Sequence, residues 1–95
     1  MESNYVQLAT EILRKGLWED LDPELERLYV LLVLTRGEQT TLRDVHDARA
    51  VWRIQSNTQH KSRVRFEDLT PEMQGVLRIY MQAIRDTSVR LNKGY

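Results

Sequence analysis

Residues 22–37, DPELERLYVLLVLTRG, carry both of their own boundary signals. Asp22 offers a side-chain oxygen to free backbone amides, Pro23 stands where no amide hydrogen is needed, and Glu24 sits near the positive end of a helix dipole. Gly37 supplies the stop. Between these signals Leu28–Leu34 is apolar on every face, which predicts a helix over 23–36 at the centre of the fold, surrounded by the others. Val30 and Val33 would also suit a buried strand, but caps at both ends favour a helix of ordinary length. The apolar run falls far short of the ~20 residues that span a bilayer.

Working outward, Ser3 or Asn4 caps a first helix over about 4–15, with Tyr5, Leu8, Ala9, Ile12 and Leu13 on one face and Gly16 at its end. Leu17 and Trp18 fall in the linker, either as a patch for a partner or as a cover for the end of the bundle. On the other side, Thr40 or Thr41 caps a helix over 42–55, with Asp44 placed as in a capping box. Val45, Ala48 and Trp52 recur at helical spacing along it. Ser56–Gln59 has loop composition, Arg63–Phe66 alternates like a short extended segment, and Thr70-Pro71-Glu72 opens a last helix over 71–91. Its apolar stripe is Met73, Val76, Leu77, Tyr80, Met81, Ile84 and Leu91, interrupted by Gly75, which costs up to ~1 kcal/mol against alanine unless close packing requires it. The expected architecture is all-α: one compact four-helix domain over residues 1–95, with a basic loop and short extended segment over 56–69.

Ninety-five residues build one core and no more. The absence of cysteine excludes disulfides, thiolate metal sites and cysteine nucleophiles, and suits a reducing cytoplasm. The N-terminus, MESNYVQLATEILRKG, lacks the basic start and apolar run of a secretory signal, so a cytoplasmic protein with no membrane association is expected. A net charge of zero hides an asymmetry: residues 1–48 hold ten acids and five bases, residues 49–95 four acids and nine bases. Such a chain can pair head to tail as a homodimer or present one basic face to an anion. The balanced total makes DNA a less favoured partner.

The residues that point to a site are Arg49, Arg53, Lys61, Arg63 and Arg65, with Trp52 beside them. Guanidinium groups bind phosphate and carboxylate oxygens in pairs, and alternation at 61, 63 and 65 would set three cations on one side of an extended strand. A solvated face is the competing account of the same charges. Trp52 and Phe66 could stack a base, or could simply pack the third helix against the strip. His46 with Asp47, and His60 with Glu67 and Asp68, have the right chemistry for metal or acid-base work, but two histidines at this spacing lack the third and fourth ligands. No phosphate-binding glycine loop, nucleophile elbow or paired-carboxylate motif is present. Neither an enzyme nor a cofactor is expected.

Two stretches, from NYVQLATEIL through LYVLLVLTRGEQTTLRDVHDARAVW and then KSRVRFEDLTPEMQGVLRIYMQAIR, resemble small proteins of actinobacterial phages and their hosts. Their second half resembles the repeat domain of ryanodine receptors, in the residues Val45, His46, Trp52, Val64, Phe66, Leu69, Pro71 and Glu72. This chain departs from that pattern at Arg49, Lys61, Arg63 and Arg65, where basic residues stand in His60–Phe66 and after His46-Asp47-Ala48. The resemblance implies a phage accessory protein in a bacterial cytoplasm. Together with the basic strip it leads to an expected function: binding a nucleotide-type ligand, such as a host defence signal, or an acidic host-protein surface.

Overall fold

The computed structural model describes residues 4–17, 19–55 and 65–93. Four α-helices account for most of them: α1 (Tyr5–Gly16), α2 (Pro23–Thr35), α3 (Leu42–Gln55) and α4 (Pro71–Asn92), with 3-10 turns at Gly37–Gln39 and Phe66–Asp68. No strand occurs among the described residues.

Each helix begins where the sequence supplies an acceptor. Asn4 accepts from the Gln7 amide, Asp22 from Glu24 and Thr70 from Met73. Thr41 and Asp44 complete a reciprocal capping box, Asp44 N donating to Thr41 Oγ1 at 3.1 Å and Thr41 N to Asp44 Oδ2 at 2.9 Å. Arg36 Nε also donates to Asp44 Oδ2, at 3.0 Å, which ties the end of α2 to the start of α3. Burial pushes the Asp44 carboxyl up, but these hydrogen bonds outweigh it and hold the pKa below the ordinary value. Gly37 has φ +58°, the left-handed conformation that a side chain resists, and it turns the chain out of α2.

The core joins Ala9, Ile12 and Leu13 of α1, Leu25, Tyr29, Val30 and Val33 of α2, Val45 of α3, and Leu77, Tyr80, Ile84 and Leu91 of α4. Both α1 and α3 pack on α2 and on α4, which also pack on each other. Gly37 lies by Ser88 and Tyr29 by Tyr80, so α2 and α4 run in the same direction. Arg85 donates to the Thr40 carbonyl and Arg49 lies over Tyr80, so α3 runs against α4.

Three expectations need correction. First, α2 is not covered on every side: it packs on α1, α3 and α4, but Leu31 and Leu34 are 54% and 39% exposed, because no further helix among the described residues lies over them. Second, Met73 and Val76 belong to the surface, Val76 being 51% exposed. The physical reason is length. Tyr5 at the start of α1 lines one hollow with Leu91 and Asn92, and α1 has only 12 residues, so it ends level with the middle of α4 and leaves the first turns of α4 uncovered. Third, Phe66 is not extended. Arg65 keeps an extended backbone, and the chain then tightens into the 3-10 turn; Arg63 and Val64 lie outside the described residues.

Candidate functional site

The uncovered turns of α4 face the second half of α3 across a groove of about 340 Å³. On α3, His46, Arg49, Ala50 and Arg53 are spaced three to four residues apart and so share one side of the helix. Opposite them stand Leu69, Met73, Val76 and Leu77, and Arg65 closes the rim from the connecting turn. The floor is apolar and the rim carries three guanidinium groups.

Each rim cation is held differently. The half-buried Arg49 reaches inward, with Nη1 3.4 Å from Tyr29 Oη and its guanidinium 5.8 Å and 5.9 Å from the Trp52 and Tyr80 ring centres. Rings at that distance attract a cation through their quadrupoles, so α2 and α4 together set the direction of this side chain. Arg65 is 79% exposed on its side chain and donates from Nε to Asp68 Oδ2 at 3.2 Å, an exposed pair worth little and easily exchanged for another anion. Arg53 lies one turn beyond Arg49 on the groove side.

The aromatic residues behind Arg49 are themselves anchored. Tyr80 Oη donates to Glu19, and burial followed by this bond pushes its phenol up to about 12. Burial also raises Tyr29, opposed by the Arg49 hydrogen bond and by the charges of Arg49 and Arg53. The Trp52 indole donates from Nε1 to Asp22 Oδ1 at 3.2 Å. The cap that starts α2 is therefore also the partner of α3.

Of the residues singled out in the sequence, Arg49, Arg53 and Arg65 meet in one groove, while Trp52 packs against the core and is not among its lining residues. Lys61 and Arg63 lie outside the described residues, as do His60 and Trp18. His46 lines the groove with its Nδ1 3.0 Å from Asp47 Oδ1 and its ring edge-on to Phe66, 5.8 Å between centres. Sequence reasoning missed the floor, since Met73 and Val76 read as core along with Leu77, which is buried. A signal was present: the expected last helix was nine residues longer than the first, and one could not cover the other.

Among the described residues no three His, Cys, Asp or Glu side chains converge as metal ligands, and no helix is long and apolar enough to cross a membrane. The groove can hold an anion and exclude water from an apolar group; among the described residues it contains no hydroxyl or thiol nucleophile beside a base.

No curated protein and no solved structure matches the chain significantly. Residues 4–89 match the family described as a domain of unknown function (DUF7701), and the chain belongs to that family.

Proposed function

We propose that this protein is a non-enzymatic binding module whose α3/α4 groove takes an anionic ligand. The observation that carries this reading is the convergence of Arg49, Arg53 and Arg65, from two separate segments, around one apolar floor. A merely solvated basic face gives no reason for that convergence. The volume, about 340 Å³, is at the small end of small-molecule sites, which supports a ligand of nucleotide size over a large macromolecular surface. The resemblance to phage and actinobacterial proteins supports an accessory role in a bacterial cytoplasm, where a small anionic host metabolite or signal would be the target, an acidic face of a host protein being the alternative.

The test is a thermal-shift series with nucleotides, cyclic nucleotides and simple organic phosphates on the wild type and on Arg53→Ala/Arg65→Ala. A ligand present at 100 times its Kd stabilises the folded state by about 2.7 kcal/mol. A shift that disappears in the double variant supports the reading; no shift with any anion, and no partner retained from a bacterial cytosol, sinks it.

A second reading, a homodimer, draws on the opposite charges of the two halves and on the exposed Tyr5, Val6, Leu31 and Leu34 of α1 and α2. A monomer by light scattering at high micromolar concentration removes it. DNA comes third, because the chain has no net charge; binding that ignores salt removes it.

A further inference from the structure

We infer that the preferred occupant of the α3/α4 groove is an amphiphilic anion, a small molecule with one phosphate or carboxylate on an acyl or aryl body. This inference rests on the reading of the groove as an anion site and narrows its ligand.

The floor side chains Ala50, Leu69, Met73, Val76 and Leu77 have no donors, and Met sulfur is a weak acceptor. The backbone beneath them is already engaged. Leu69 N donates to Phe66 O, Leu69 O accepts from Gln74 Nε2 at 3.1 Å, and Met73 N donates to Thr70 Oγ1. Ala50, Val76 and Leu77 lie inside helices whose amides pair along the helix. A nucleobase set on this floor would give up water at its donors and acceptors and find no partner among these described floor residues, only His46 and the guanidinium groups at the edge, which disfavours it. An alkyl chain or unsubstituted ring loses nothing, and removing it from water together with the exposed Met73 and Val76 is favourable.

The rim selects the sign of charge. Arg53 and Arg65 border the floor from α3 and from the turn, while Arg49, engaged with Tyr29 and two rings, keeps a fixed positive charge behind them. Asp68 on Arg65 is the carboxylate that an incoming headgroup would replace. One anionic group at the rim and one apolar body on the floor complement this arrangement; a cation of the same shape does not.

The experiment measures Kd by isothermal titration, with octyl phosphate below its micelle concentration as the probe. Inorganic phosphate, adenosine monophosphate, octylammonium and phosphatidylglycerol vesicles complete the series. Octyl phosphate should bind at least about tenfold more tightly than phosphate, the nucleotide or the ammonium, since each missing complementary contact is worth about a factor of ten or more. Val76→Glu and Arg65→Glu, both at exposed positions and each checked for an unchanged melting temperature, should each weaken it by at least about tenfold. Adenosine monophosphate binding as tightly as octyl phosphate, with loss in Arg65→Glu, would overturn the amphiphile and leave the anion site standing. Vesicle binding without binding of the soluble probe would overturn it in favour of a membrane surface. Failure of every anion would overturn both this inference and the reading beneath it.

Discussion

Gly37 and Ser88 touch so closely that a Cβ on Gly37 would stand 2.8 Å from Ser88 Oγ, at a residue whose φ is +58°. Two separate costs therefore meet any side chain at position 37. The left-handed backbone costs about 1–2 kcal/mol for an L-residue, and the serine must turn away. Gly37→Ala should lower stability by about 2 kcal/mol in urea denaturation. Gly37→Ala/Ser88→Ala should recover less than the whole loss, because it removes the clash with Oγ, leaves Cβ at an ordinary 3.6 Å, and keeps the backbone strain. A Gly37→Ala protein as stable as the wild type would refute the account.

Gly75 is the opposite case. It lies within α4, and a Cβ there would meet nothing within 4 Å, so no close approach requires glycine. Gly75→Ala should stabilise the protein by up to about 1 kcal/mol, and a gain of that size raises the Tm of a domain of this length by about 4 to 8 °C. An unchanged or lower melting temperature would mean that the glycine has a role in the first turns of α4 that packing does not reveal.

Arg14 grips Glu26 with two hydrogen bonds, Nε to Oε2 at 2.7 Å and Nη2 to Oε1 at 2.9 Å, and thereby ties α1 to α2. The glutamate side chain is 12% exposed, so removing the arginine strands a nearly buried charge. Arg14→Met should lower the melting temperature, and Arg14→Met/Glu26→Leu should restore much of it. A double variant less stable than Arg14→Met alone would show that the pair is not the source of the effect.

Tyr80 predicts the alkaline limit. Its phenol titrates at about 12 in the folded chain against about 10 when unfolded, chiefly through burial and then through Glu19. A group whose pKa is raised by folding contributes stability that is complete below the unfolded pKa and is lost as pH climbs through the folded one. The stability difference between wild type and Tyr80→Phe should therefore be constant below pH 10 and change between about 10 and 12, the wild type losing more. Comparing the two proteins at each pH cancels the titration of lysines and other tyrosines. Parallel curves across that range would exclude the linkage.

Trp52 separates stability from binding. Its indole bond to Asp22 is worth about 1 kcal/mol, and the ring packs on the core outside the groove. Trp52→Phe should lower stability by roughly that amount while ligand affinity at the groove stays within about twofold. Loss of affinity comparable to that in Arg65→Glu would return Trp52 to the ligand site.

The helices were legible because their signals are local. Asn4, Asp22, Thr41 and Thr70 cap the four helices, and Gly16 and Gly37 mark ends, each effect being decided within one turn of chain. The candidate groove was legible only in its charged border. Arg49, Arg53 and Arg65 stood out as charge beside an aromatic, and they do border one groove.

The sequence by itself determined the helix boundaries, the all-α class and the basic bias of the second half, since caps, periodicity and charge are written residue by residue. Tertiary structure alone decided which apolar residues remain uncovered. Met73 and Val76 carry the same hydrophobic signature as Leu77, and only the end of α1 halfway along α4 turns them from core into the floor of a groove. It also decided that Arg49 points between Trp52, Tyr80 and Tyr29. Burial and direction are set by neighbours distant in the chain, and no local pattern contains them.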